Sequence, residues 1–147
     1  MMNLQGLADE LNDLLASETR SLARHLDEAQ PYLTPATYRA WNQIRHFGEA
    51  SEEHAARLSA LQERLDLVPQ SRPYPPDVAN YHYISLDALL PLLIREKQQQ
   101  IARYERALQH AANLPDVQEE LADLLSANRE QLAVLQSLVK SPAATTV

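Results

Sequence analysis

The chain contains no cysteine and only two glycines, Gly6 and Gly48, among its 147 residues. The absence of cysteine excludes disulfides, iron–sulfur clusters, thiolate zinc sites and thiol catalysis, and it is consistent with a reducing compartment. Two glycines leave little material for the tight turns of an all-β fold. No apolar run approaches the roughly 18 residues that span a bilayer, and the N-terminus lacks a basic region followed by an apolar stretch. These absences favour a soluble, cytoplasmic, helical protein.

The charge of the chain is the next constraint. Thirteen Lys and Arg against twenty Asp and Glu give a formal net charge of -7. An acidic surface disfavours non-specific binding to nucleic acids and to acidic lipids, so we expect neither a nucleic-acid nor a membrane partner. The length and the 45% hydrophobic content predict a single domain over residues 1–140. The segment 141–147 has no periodicity and is expected to be a mobile tail.

Apolar residues recur with the helical period and predict four helices, at about residues 3–29, 35–67, 85–113 and 116–140. Pro31 ends the first helix, and Thr34-Pro35 supplies an N-cap followed by a proline in the first turn of the second. Pro91 is expected to kink the third helix or to mark its true start. The Pro- and Tyr-rich segment at about 68–83 could extend about 55 Å, whereas a 30-residue helix is about 45 Å long. The predicted fold is therefore all-α, a four-helix bundle of two antiparallel hairpins joined by a long crossover between helices 2 and 3.

Each predicted helix has polar residues in the middle of its apolar stripe. The six residues are Glu18, Ser51, His54, Glu96, Asn128 and Gln131. The two hairpins repeat a spacing, because Ser51 and His54 follow Glu18 by 33 and 36 residues, and Asn128 and Gln131 follow Glu96 by 32 and 35. Since every position lies near the midpoint of its helix, packed hairpins bring all six to one layer. Unpaired carboxylates there would cost more than the net stability of a small domain, about 5–15 kcal/mol, so compensating groups must be present.

Two segments carry a resemblance to a known family. Residues 11–18, LNDLLASE, resemble the first-helix motif of the ferritin-like superfamily, and Ser51-Glu52-Glu53-His54 resembles its Glu-x-x-His motif, particularly in bundles of the bacterioferritin and rubrerythrin type. In that family each hairpin supplies a Glu, a bridging Glu and a His, which together bind two iron or manganese ions. Carried over by position, Glu18 matches the first Glu, His54 the first His and Glu96 the third-helix Glu.

The remaining positions depart from the family pattern. Ser51 and Asn128 stand where the bridging Glu residues belong, and Gln131 stands where the second His belongs. Ser and Asn neither bridge two cations nor neutralise their repulsion, so a working di-iron ferroxidase is not expected. One prediction is a single divalent ion, iron, manganese or zinc, bound by Glu18, His54 and Glu96. Candidate additional ligands are His25, Gln131 and Asn128.

The alternative prediction is a metal-free polar core. Glu18 and Glu96 then accept hydrogen bonds from His54 and from the amides of Gln131 and Asn128, and Ser51 fills the remaining positions. Haem is not expected, because Glu52 occupies the position after Ser51 where the resemblance calls for a haem-ligating Met.

Three functions follow from these alternatives. The first is a ferritin-like bundle that is non-catalytic or binds one divalent metal, and that is not an iron-storage cage because no fifth helix follows the fourth. The second is a mononuclear iron or manganese oxidoreductase acting on oxygen or peroxide, with Tyr104 as a redox neighbour. The third is an interaction module with a metal-free core. The resemblance also implies a homodimer formed through helices 1 and 2.

Overall fold

A computed structural model describes residues 4–23, 26, 31, 33–70 and 85–140. These residues form four α-helices and no β-strand, which confirms the predicted all-α class and is consistent with a four-helix bundle. The helices are α1 (Gln5–Thr19), α2 (Tyr38–Arg64), α3 (Leu86–His110) and α4 (Pro115–Lys140). Across this described part, no helix combines the length and apolarity needed to cross a membrane. The predicted tail, and the predicted crossover from residue 71 onward, lie outside the described residues.

Helix α1 packs against both α2 and α3, and it runs antiparallel to each. Towards α2, Asn12 contacts Gln62 and Glu18 contacts His54, so the residue numbers rise on one helix as they fall on the other. In the contacts between α1 and α3, the residue numbers likewise rise on one helix as they fall on the other. Gly6 lies so close to the ring of His110 that a Cβ at residue 6 would stand 2.6 Å from it, and Ser17 bonds Gln100 three turns further on.

Helix α4 completes the arrangement by packing on α3 and, less extensively, on α2. The turn before it is tight, with Leu114 N donating to the carbonyl of Ala111 at 2.9 Å. Arg57 of α2 reaches the carboxylates of Glu120 and Asp123 on α4. Hydrogen bonds to these two carboxylates raise the pKa of Arg57 above its ordinary value.

The prediction of an unbroken first helix to residue 29 was wrong at Arg20 and Ser21. Helix α1 ends at Thr19, and helical geometry resumes at Leu22 and Ala23. In a continuous helix the N–H of Leu22 would donate to the carbonyl of Glu18, four residues back. Here it donates to both carboxylate oxygens of Glu96, at 2.9 and 3.1 Å. A side chain of α3 thus satisfies the backbone donor that the break exposes.

The third helix begins before its proline. The Oγ of Ser85 accepts a hydrogen bond from the N–H of Ala88 at 3.3 Å, and the helix starts at Leu86. Of the two outcomes expected for Pro91, the start of the helix is therefore excluded. Pro91 is exposed, so water has access to the Asp87 carbonyl, whose usual helical donor the proline lacks.

The apolar core is divided into two clusters by a layer of buried polar residues. One cluster includes Leu11, Leu58, Ile101 and Leu124. The other includes Leu26, Ile44, Leu89 and Leu135. The buried polar residues between them are Ser17, Glu18, Ser21, Ser51, His54, Lys97, Gln100, Asn128 and Gln131. Helices α2, α3 and α4 each have residues of both clusters on either side of these polar positions. In the first segment the polar positions lie at the end of α1, before Leu22 and Leu26 of the second cluster.

Candidate functional site

The carboxylate of Glu18 is the centre of the polar layer. Its side chain is 0% exposed. The Oε2 atom accepts hydrogen bonds from the hydroxyl of Tyr104 at 2.6 Å and from Nδ1 of His54 at 3.1 Å, with a longer contact of 3.4 Å from Nδ2 of Asn128. Because an ionised carboxylate only accepts, Nδ1 of His54 carries the proton in this contact. One oxygen atom of α1 therefore joins side chains of α2, α3 and α4.

Lys97 brings its amino group into the same layer. Its side chain is 6% exposed, and Nζ donates to Oε1 of Gln100 and to Oδ1 of Asn128, both at 2.7 Å. Asn128 thus accepts from Lys97 with its oxygen and donates to Glu18 with its nitrogen, which also donates to the carbonyl of Leu124 at 2.8 Å. The amide places a positive and a negative side chain at its two ends.

A polar chain continues from Lys97 to the backbone of α1. Nε2 of Gln100 donates to Oγ of Ser17 at 3.1 Å, and that hydroxyl donates to the carbonyl of Leu14 at 2.8 Å. Each group along this path has a partner of the complementary kind. Such chains polarise one another and strengthen in a low-dielectric core.

The charges of the layer shift one another's pKa values. Burial raises the pKa of Glu18, but the His54 hydrogen bond, the Lys97 charge and the Tyr104 hydrogen bond together lower it below the usual 4.5. Burial lowers the pKa of Lys97 below 10.5, against the opposing effect of the Glu18 and Glu96 charges. Burial and the charge of Glu18 raise the pKa of Tyr104. Glu18 is accordingly ionised and Tyr104 neutral near neutral pH.

The structure places the other residues of the predicted site as follows. Glu96 is half-buried, and its carboxylate accepts from the backbone of Leu22 rather than joining Glu18. The hydroxyl of Ser51 meets that of Ser21 at 3.4 Å. Gln131 is buried, with Oε1 lacking a hydrogen-bond partner. His25 lies outside the described residues.

The described residues do not fit a divalent metal. No three side chains of His, Asp or Glu among them form a group that could hold a metal ion. Glu18 and His54 meet, but the third predicted ligand, Glu96, is bonded to the backbone of Leu22. Oε1 of Glu18 is buried without a hydrogen-bond partner, but the amino group of Lys97 is joined to Glu18 through Asn128, and its charged form would repel a divalent cation.

Lys97 was absent from the sequence-based site, although the sequence carries its signal. The residues Leu93, Lys97, Gln100 and Tyr104 follow one another at spacings of four, three and four, which is a buried helical stripe. Glu96 and Lys97 lie three and four residues after Leu93, so both fit the period and only packing decides between them. The rarity of lysine is a further signal, since the chain has only two lysines, Lys97 and Lys140, among its 13 basic residues.

Comparison of the sequence with models of known protein families finds no match. A search of curated proteins likewise finds no similar sequence. The chemistry of the polar layer is therefore the basis for inferring what the chain does.

Proposed function

We propose that this chain is a ferritin-like four-helix protein that has lost its dinuclear centre and works as a non-catalytic bundle with a hydrogen-bonded polar core. The observation that carries the proposal is the Lys97–Asn128–Glu18 chain, with contacts of 2.7 and 3.4 Å. This chain of hydrogen bonds supplies an internal partner for the carboxylate of Glu18, which stands where the family has a metal-binding Glu. Of the alternatives derived from the sequence, this geometry supports the metal-free core.

The order of the helices supports the ferritin-like part of the proposal. Since α2 and α3 both run antiparallel to α1, they are parallel to each other, and their connection has to return along the bundle. The chain does turn back after α2, because Gln70 N donates to Oδ1 of Asn12 at 2.9 Å, the same atom that accepts from Gln62. Residue 70 is thus level with residue 62. This supports a long crossover over about residues 68–83.

The mononuclear oxidoreductase is less well supported by the same contacts. A redox metal needs free donor atoms and an open coordination position. Oε2 of Glu18 already accepts from Tyr104 and His54. Oε1 of Glu18 and Oε1 of Gln131 are buried without hydrogen-bond partners, but no third His, Asp or Glu of the described residues joins Glu18 and His54 in a group that could hold a metal. The proposal is therefore that the protein acts through its surface and not through a reaction in its polar core.

The partner proposed for that surface is a second copy of this chain. The argument is the family resemblance, in which bundles commonly pair through the first two helices. Analytical ultracentrifugation over a range of concentrations is expected to show a dimer. A monomer at every concentration would contradict the pairing and leave the proposal for the core intact.

The core proposal is tested by metal content and redox activity. Protein purified without chelator is expected to contain no stoichiometric iron, manganese or zinc by elemental analysis. Aerobic oxidation of ferrous ion and consumption of peroxide are expected to be the same for the wild type and for His54→Ala. His46→Ala is the matched control, because His46 lies on the same helix with its side chain 73% exposed. Stoichiometric metal, or activity that His54→Ala alone abolishes, would overturn the proposal.

A further inference from the structure

We propose that the ammonium group of Lys97 takes over the role that metal ions have in ferritin-like bundles: it balances the buried carboxylate, links the helices and excludes a divalent cation. The comparison with a metal rests on the proposed function. The coupling between Lys97 and Glu18 rests on the geometry of this chain alone.

The polar layer buries one acidic and one basic side chain. Glu18 is 0% exposed and Lys97 is 6% exposed, and each is the principal buried residue of its sign in the layer. A buried ion is tolerated only when it is paired and hydrogen-bonded. Burial disfavours the charged form of each, whereas the Lys97 charge stabilises the ionised form of Glu18 and the Glu18 charge stabilises the charged form of Lys97. One negative and one positive charge leave the layer neutral without a metal.

Asn128 stands where the resemblance places a bridging Glu. A Glu there would only accept hydrogen bonds and would add a second negative charge. The amide instead accepts from Lys97 Nζ at 2.7 Å and turns its nitrogen towards Glu18 Oε2 at 3.4 Å. Asn128 and Lys97 are therefore complementary, because the amide suits an ammonium on one side and a carboxylate on the other.

The same contacts link all four helices. Glu18 of α1 binds His54 of α2 and Tyr104 of α3, and Asn128 of α4 joins Lys97 to Glu18. A divalent ion bound by Oε2 of Glu18 would have to displace these donors. An ion bound by Oε1, which is buried without a hydrogen-bond partner, would still experience the charge of Lys97. Without the lysine, Glu18, His54 and two amide oxygens, from Gln100 and Asn128, would remain as a donor set.

A double-mutant cycle tests the coupling. Lys97→Met and Glu18→Gln are each expected to lower the folding equilibrium constant by roughly 100-fold or more, because each leaves one buried charge uncompensated. The double variant is expected to be clearly more stable than the sum of the two losses predicts. Arg129→Met and Glu105→Gln form the control cycle, since that pair is 57% and 52% exposed and lies 3.2 Å apart. Additive losses for Lys97 and Glu18, as in the control cycle, would overturn the inference.

A metal titration tests the exclusion. Cobalt and zinc ions are expected to leave the thermal midpoint of the wild type unchanged, and to raise that of Lys97→Met. Cobalt should also give the variant a visible d–d absorption, which Glu18→Gln in the same background abolishes. Binding of cobalt or zinc ions by the wild type itself would overturn the proposed function. A metal-free wild type with an equally unresponsive Lys97→Met would overturn only the exclusion by Lys97.

A measurement on the wild type remains informative if the variants do not fold. Because the chain has only two lysines, protein labelled with ¹⁵N in lysine gives two Nζ resonances. Near neutral pH, Lys97 is expected to show an ammonium group whose protons exchange slowly with water. A neutral amine at Lys97 under these conditions would overturn the inference.

Discussion

At the scale of single residues, the hydroxyl of Tyr104 makes the shortest contact with Glu18, 2.6 Å. Tyr104 is fully buried, so water cannot replace this donor. A hydrogen bond to a charged acceptor is stronger than one between neutral groups, and an ionised carboxylate that loses a buried donor keeps its desolvation penalty. The contribution of Tyr104 to the layer is therefore separable from the volume of its ring.

Tyr104→Phe removes that hydroxyl and keeps the ring. We expect the free energy of unfolding, measured by urea denaturation, to fall by about 1.5–3 kcal/mol, as for a hydrogen bond to a charged group. Tyr38→Phe is the control, because Tyr38 is 56% exposed and its loss of a hydroxyl should change stability by less than about 0.5 kcal/mol. Equal effects of the two substitutions would show that the Tyr104 hydroxyl contributes nothing specific.

At the scale of helices, the carboxylate of Glu96 satisfies the backbone donor exposed by the break that follows α1. The N–H of Leu22 has no carbonyl in its own helix at the break, and Glu96 accepts from it with both oxygens. An acidic side chain at the start of a helical segment also interacts favourably with the helix dipole. Glu96 is thus used as a cap supplied by another helix.

Glu96→Ala removes this cap. We expect a loss of about 0.5–2 kcal/mol in the free energy of unfolding, which is usual for a capping residue. Hydrogen exchange should show faster exchange of the Leu22 amide. Glu105→Ala, an exposed glutamate on the same helix, is expected to leave that amide unchanged. Unaltered exchange at Leu22 in Glu96→Ala would contradict the capping role.

Helix ends were partly predictable because capping is local. The Oγ1 of Thr34 accepts from the N–H of Thr37 at 3.3 Å, as the predicted N-cap requires, although the regular helix begins at Tyr38. The break at Arg20 was not predictable, because the acceptor that satisfies Leu22 comes from a residue 74 positions away. A periodic pattern does not reveal that the helix is interrupted.

At the scale of the whole molecule, the polar layer separates two apolar clusters, and the four helices have to meet at one level to satisfy it. A shift of one helix by a turn would leave Glu18 or Lys97 without partners in a low-dielectric core, at a cost of several kcal/mol. The layer therefore penalises alternative registers of the bundle, a role that buried polar residues have in some helical assemblies.

Acid should weaken this arrangement through Glu18. Its pKa in the folded protein lies below the 4.5 of an unperturbed side chain, so the unfolded chain binds its proton first as the pH falls. The stabilisation from Glu18 is present above about pH 4.5 and is lost as the pH falls through the pKa that Glu18 has in the folded protein. Urea unfolding across this range should show the wild type losing stability faster than Glu18→Gln. The surface variant Glu105→Gln should follow the wild type, and parallel curves for all three proteins would contradict the expectation.

The amino-acid sequence by itself determined the helical class, the approximate helices and the presence of polar residues within the apolar stripe of each of them, because helical periodicity and composition are local properties. It also identified Glu18, His54 and Asn128 as residues of one layer. Tertiary structure alone decided that Lys97, and not Glu96, is joined to Glu18 through Asn128, since the two neighbours fit the helical period equally well. The physical reason is that the partners of a buried charge come from other helices, and their positions are set only when the four helices pack.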